Sequence, residues 1–188
     1  EKSKKNYSFI TEETGIINKS DKDNFWIIDP IDGTTNFLHG IPHFAISIAL
    51  KKNNEIVSGL IFDPIKNEMF YSEKNSGSFF NNQRIRVSKK LELEDCLFAT
   101  NHEGAVYSNL NLRFTGCAAL DLAYVASGRL DGYFHNNINI WDVAAGVLII
   151  EEAGGKVNDI NEFDINSINI RASNNNIHHK MLENLKNF

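Results

Sequence analysis

Cysteine is nearly absent. Cys96 and Cys117 are the only two in 188 residues, which excludes a disulfide-held scaffold. Both stand among apolar neighbours and read as reduced core residues, the usage expected of a cytoplasmic protein. Long hydrophobic runs are also missing. None approaches the ~20 residues a helix needs to cross a bilayer, so no membrane partner is expected. There is no basic block: 19 Lys and Arg stand against 24 Asp and Glu, a net charge of −5. That excludes the clustered cationic footprint of a general nucleic-acid binder. Neither a Walker loop nor a dinucleotide fingerprint is present. His39 and His43 have zinc-like spacing, but Gly40 and Pro42 lie between them and break a helix. Cys117 has no base near it in sequence and does not read as a nucleophile. His178 and His179 read as exposed on a closing helix. No signal-peptide pattern and no internal repeat are visible.

What is present is ordinary globular material, 42% hydrophobic and 23% charged, which excludes a wholly disordered chain. After a polar lead-in, 1–6, Tyr7 to Ile10 reads as a strand ending at Glu12-Glu13. The segment 18–24 reads as an exposed loop. Phe25-Trp26-Ile27-Ile28 is a continuous apolar run, read as a strand buried on both faces and ended by Pro30. Short strands with regular turns follow at 44–50, 56–62, 69–71, 78–80 and 85–87, the pattern of an antiparallel meander, and 96–100 reads as a further apolar strand. Beyond residue 115 the period changes. Helices are expected at 117–127, closed by Gly128, at 143–153, and at 177–188, with strands at 132–134 and 168–172. The whole chain, 1–188, reads as one domain. Its strand-rich half is 1–100, and helices and strands alternate over 101–188.

The segment Asp29-Pro30-Ile31-Asp32-Gly33-Thr34-Thr35-Asn36 carries the most chemistry. Two acids stand three residues apart at a strand end. Gly33 lets the backbone approach a ligand, and Thr34-Thr35 open a short helix whose N–H groups favour an anion. Acids beside an anion site are compatible when a divalent cation lies between them. Oxygen ligands without His or Cys favour Mg²⁺ over Zn²⁺. Asp-Pro and Asp-Gly are also plain turn dipeptides. The chain holds its own control, Asp63-Pro64-Ile65-Lys66, which lacks the second acid and reads as a simple turn. Asp142, after Trp141, is an expected helix N-cap with lone pairs left for a cation. Glu12 and Glu13 end the first strand, where an acid is as often only solvated.

Three segments resemble the signatures of the inositol monophosphatase family: Phe9-Ile10-Thr11-Glu12-Glu13, Trp26 through Phe37, and Trp141-Asp142-Val143-Ala144-Ala145-Gly146 on to Gly155. Gly116-Cys117-Ala118-Ala119 through Arg129 is similar to its substrate-side helix. The resemblance implies an α+β fold, a layered α/β/α/β sandwich, with the family's N-terminal helical pair missing from this chain. It implies Mg²⁺-dependent hydrolysis of a small phosphate monoester by a two-metal-activated water, with two or three ions bound. Glu12, Asp29 and the Ile31 carbonyl would hold one ion, and Asp29, Asp32 and Asp142 another. Thr34, Glu12, Asp29 and Asp32 are the implied catalytic residues, with Glu13 behind them. Asp32, Gly33, Thr34, Gly116, Ala118 and His135 stand at the implied substrate positions. His135 occupies the place of a glutamate in inositol-selective members. Histidinol phosphate, fructose bisphosphate and 3′-phosphoadenosine phosphate therefore stay open as substrates, as does a non-catalytic regulatory role. A homodimer is expected by the same resemblance.

Overall fold

The computed structural model describes residues 6–101, 110–158 and 167–185, without the side chain of Lys22. The lead-in up to residue 5, the stretch 102–109 and the last three residues of the expected closing helix lie outside the described residues.

Eight strands form the first sheet: β1 Tyr7–Thr11, β2 Gly15–Ile17, β3 Asp21–Asp32, β4 Ala45–Lys52, β5 Glu55–Asp63, β6 Glu68–Glu73, β7 Gly77–Phe80 and β8 Gln83–Ile85. Their order is β2-β1-β3-β4-β5-β6-β7-β8, and every pairing is antiparallel except β1 with β3. The expected meander corresponds to β4 to β8, and β3 joins it antiparallel at β4. Asparagines in left-handed conformation serve its turns, among them Asn53, Asn67, Asn75, Asn81 and Asn82. A second sheet holds β9 Leu97–Ala99, β10 Asn111–Arg113, β11 Gly132–Ile138, β12 Lys156–Val157 and β13 Ile168–Ser173, in the order β10-β9-β11-β13-β12.

The helices are α1 Thr34–Leu38, α2 Ala118–Ala126, α3 Ile140–Glu152 and α4 His178–Asn184. α2 and α3 pack against strands of both sheets, and α4 packs on β13. The layers thus run α4, second sheet, α2 with α3, first sheet, an α/β/α/β sandwich. Residues without bulk let the layers close up. A Cβ on Gly59 of β5 would come 2.8 Å from the Ala145 carbonyl oxygen, and one on Gly146 of α3 would come 2.6 Å from Leu122 of α2. The main core lies in this middle layer, where Val143, Ala144, Ala145, Ile149 and Ile150 of α3 are fully buried. A second core under α4 joins Cys96, Phe98, Phe134, Ile177 and Met181.

Four expectations need correction. The segment 18–24 is not a loop throughout, because β3 begins at Asp21, which pairs with Tyr7. The Asp21 carboxylate accepts the N–H groups of Asp23 and Asn24 and so stabilises this polar start. Pro30 does not end the strand. It sits where the β3–β4 register shifts between Asp29 and Asp32, at a bulge that needs no N–H from it. The Phe25–Ile28 run is not buried on both faces: Ile27 faces the helices, while Trp26 and Ile28 are half-buried on the outer face. There Trp26, Ile48, Leu60, Met69 and Tyr71 line an apolar groove of about 330 Å³. His178 is not exposed. It is buried, with Nδ1 2.9 Å from the Ser173 hydroxyl, and only His179 points to solvent.

Candidate metal centre

Three elements deliver one acid each. Asp29 lies in β3 at the bulge and is almost fully buried, its Oδ1 accepting the Ile31 N–H at 2.8 Å. Asp32 closes β3. Its Oδ2 accepts the Ala119 N–H at 2.6 Å, from the first turn of α2, and the Cys117 thiol at 3.1 Å. Asp142 stands in the first turn of α3, and its Oδ2 accepts the Asn139 N–H at 3.1 Å. The expected N-cap role of Asp142 is thereby corrected. Asn139 is the N-cap, because α3 starts three residues earlier than the apolar pattern showed, and Asp142 reaches back from the third helical position. One oxygen from each of Asp29, Asp32 and Asp142 lies within 4.8 Å of the others.

The electrostatics are those of an uncompensated site. Burial, then the charges of Glu12 and Asp142, push the Asp29 carboxyl up. Burial lifts Asp32 to about 7 against the opposing Cys117 and Ala119 donors, with the Asp29 charge adding to the rise. Burial and the Asp32 charge raise Asp142. No basic side chain figures among these influences. Buried carboxylates this close repel one another unless a proton or a cation joins them. The donors are hard oxygens, which fits a hard divalent cation.

The remaining candidate residues surround this group in different ways. Glu12 follows β1 and is exposed. It is not among the three converging acids, but its charge acts on both Asp29 and Asp142. Glu13 is exposed beside it. The Ile31 carbonyl accepts the Thr34 hydroxyl at 2.8 Å. Gly33 has φ +87°, and a Cβ there would come within 3.1 Å of the His43 carbonyl oxygen and 3.2 Å of that of Gly116. Only glycine suits that turn. The Gly116 N–H is already donated to Asn101 Oδ1 at 3.0 Å. Ala118 is the buried first residue of α2. His135 lies in β11 with its ring 6.5 Å from that of Tyr133.

Four residues escaped the sequence reading of the site. The Asn36 amide donates to the carbonyls of His43 and Thr115, both at 2.8 Å, and ties the turn after β3 to the approach to α2. Cys117 is wholly buried and donates to Asp32, and burial pushes its thiol ionisation up. Asp121, also buried, accepts the Thr115 hydroxyl at 2.8 Å. Tyr133 is buried facing the same acids, and burial with the charges of Asp121, Asp32 and Asp142 raises its phenol. Asn36 stood inside the 29–36 block, and Cys117 and Asp121 inside the 116–129 segment. Yet neither spacing nor periodicity marks the roles of Cys117, Asp121 and Tyr133, which arise only where the two sheets meet the helices.

Comparison with known proteins gives the same picture. The chain is 42% identical to an inositol-1-monophosphatase of Caulobacter vibrioides, over 98% of its own length and 80% of the relative's. It is 43% identical to the Nus factor SuhB of Haemophilus influenzae, over 92% of this chain and 69% of that one. The crystal structure of the extragenic suppressor protein suhB from Bartonella henselae superposes with a TM-score of 0.91 at 43% identity, covering 98% of this chain and 79% of that one. Fold and acid centre together define a phosphoric monoester hydrolase of the metal-dependent, layered α/β kind. The model of the inositol monophosphatase family matches residues 1–187, and the chain belongs to that family.

Proposed function

We propose that the chain hydrolyses a small phosphate monoester, inositol-1-phosphate or a related sugar or polyol phosphate, with Mg²⁺ held by Asp29, Asp32 and Asp142. Glu12 and the Ile31 carbonyl complete the ligand set. The observation that carries this reading is the convergence of three acids, Asp29 and Asp32 buried and Asp142 half-buried, with no basic side chain among the groups that chiefly act on them in the described residues. A pair of bound divalent ions supplies a water ionised near neutral pH and charge stabilisation for the leaving oxygen. The chain does the rest. Asp29, with Oδ1 tied to the Ile31 N–H, keeps lone pairs for bridging. The Thr34 hydroxyl spends its proton on the Ile31 carbonyl, so its oxygen accepts a hydrogen bond from the attacking water and orients it. Gly33 presents bare backbone for close approach of a phosphate oxygen.

The test is phosphate release from a panel of polyol, sugar and nucleotide monophosphates, with Mg²⁺ and then with chelator. Release from at least one substrate, abolished by chelation, is expected. No release from any of them overturns the reading. The similarity to proteins named Nus factor SuhB favours a second reading, a binding role in transcription. Under that reading Asp142→Asn leaves the cellular role intact.

A further inference from the structure

We infer that Cys117 is a positioning residue: its thiol, with the Ala119 N–H, clamps one oxygen of Asp32 so that the other faces the cation site. The inference rests on the proposed metal function but concerns a residue that reading leaves without a role. Asp32 has two carboxylate oxygens. Oδ2 receives the Ala119 N–H at 2.6 Å and the Cys117 Sγ at 3.1 Å, and the Ala118 N–H also acts on the carboxylate. Oδ1 is therefore the oxygen with lone pairs to offer Asp29 and Asp142 across the site.

With a single donor, a carboxylate still swivels about its Cβ–Cγ bond. With two donors from different directions, its plane is set. Cys117 is itself firmly held. It is fully buried at the N-cap of α2, and a Cβ on Gly33 would come 3.3 Å from its own Cβ. Its neighbour Gly116 has φ +79°, and a Cβ there would press on the Asn36 amide at 3.1 Å. The two glycine turns thus let the chain pass close to Asp32 and bring the thiol to its carboxylate. Groups that hydrogen-bond to a metal ligand fix its orientation, and losing one costs roughly 10- to 100-fold in metal affinity. Because the Ala118 and Ala119 N–H groups remain, the lower end of that range is expected here.

The experiment pairs Cys117→Ala, which removes the donor, with Cys117→Ser, which keeps one. Mg²⁺ affinity is measured calorimetrically on the metal-free protein, and folding is checked by far-UV circular dichroism. The expected result is about tenfold weaker Mg²⁺ binding in Cys117→Ala and recovery to within about threefold in Cys117→Ser. Equal weakening in both variants, or none in either, overturns the inference, the first outcome marking Cys117 as packing alone. A second readout needs no metal. The infrared S–H stretch lost in Cys117→Ser should sit at a hydrogen-bonded frequency and move toward a weaker-bonded one in Asp32→Ala, where only the Asp32 carbonyl at 3.5 Å remains as acceptor. A band that does not move overturns the thiol–carboxylate contact. Wild-type protein that binds no Mg²⁺ but shows the band shift defeats the proposed function and leaves the contact standing.

Discussion

Two turns in this chain share Asp-Pro-Ile and part company at the fourth residue. Asp29, at the bulge three residues before the end of β3, and Asp63, the last residue of β5, are each almost fully buried, and each accepts the N–H two residues on, at 2.8 and 2.9 Å. After Asp63 comes Lys66, whose ammonium lies 2.6 Å from Oδ2 and whose backbone N–H reaches Oδ1 at 3.0 Å. Burial alone would raise the Asp63 carboxyl, but these Lys66 contacts outweigh it and hold it below its ordinary value. After Asp29 comes Asp32, a second acid, and Asp29 is pushed up instead. A buried carboxylate needs its charge balanced. One turn carries the balancing cation in its own sequence, and the other, in the function proposed above, takes it from solution.

The strongest way to break that comparison is to neutralise each aspartate in turn. Asp29→Asn should lower phosphate release by about 10³-fold or more, since it removes a bridging acid from transition-state charge stabilisation. Asp63→Asn should leave kcat within about twofold, because its partner is an internal lysine. Steady-state kinetics on both variants decides, and equal losses would show that the two turns are not functionally distinct.

A pH scan sharpens the contrast. Burial lets Asp32 hold its proton to about 7 when folded, against 3.8 for an ordinary aspartate. Between those values the folded state binds more protons than the unfolded one. The stability this contributes is complete below about 4 and is lost as pH rises through about 7. The metal-free melting temperature should therefore fall by several degrees between pH 5.5 and 8.5. Added Mg²⁺, which binds the folded form, should restore it most at the alkaline end. A scan flat in this range, with and without Mg²⁺, would count against a cation-seeking site.

The smallest effect concerns Lys66. Lys66→Ala should destabilise by about 1–2 kcal/mol, a modest figure because the lysine side chain is 38% exposed and screened by water. That corresponds to a drop of roughly 2–8 °C in melting temperature, with Mg²⁺ affinity unchanged.

Much of the centre was legible because its chemistry is local. Asp29 to Asn36 is a contiguous block, and its contrast with Asp63 to Lys66 is visible in the residues themselves. The layered architecture was legible through the change of period near residue 115. Less legible were features decided by tertiary neighbours. Trp26 and Ile28 look core-like in a continuous apolar run, yet only pairing with β4 reveals that they share the outer face. Pro30 looks like a strand end, because a bulge cannot be seen without the partner strand. His178 looks like its exposed neighbour until Ser173 is brought beside it. The acid–thiol contact of Asp32 and Cys117 joins residues 85 positions apart, a separation over which no local pattern operates.

α3 is pinned at both ends. Asp142 enters the acid group from its first turn, while at its far end the Glu152 carboxylate accepts the N–H groups of Asn75 and Gly77 in the β6–β7 turn, at 2.7 and 2.8 Å. Between those pins the helix keeps a fixed phase. One inserted residue would turn one end about 100° relative to the other. Either the hairpin grip or the third acid would then face the wrong way. The spacing from Asp142 to Glu152 therefore works as a gauge length, and insertions compatible with the acid centre belong in the turns outside it.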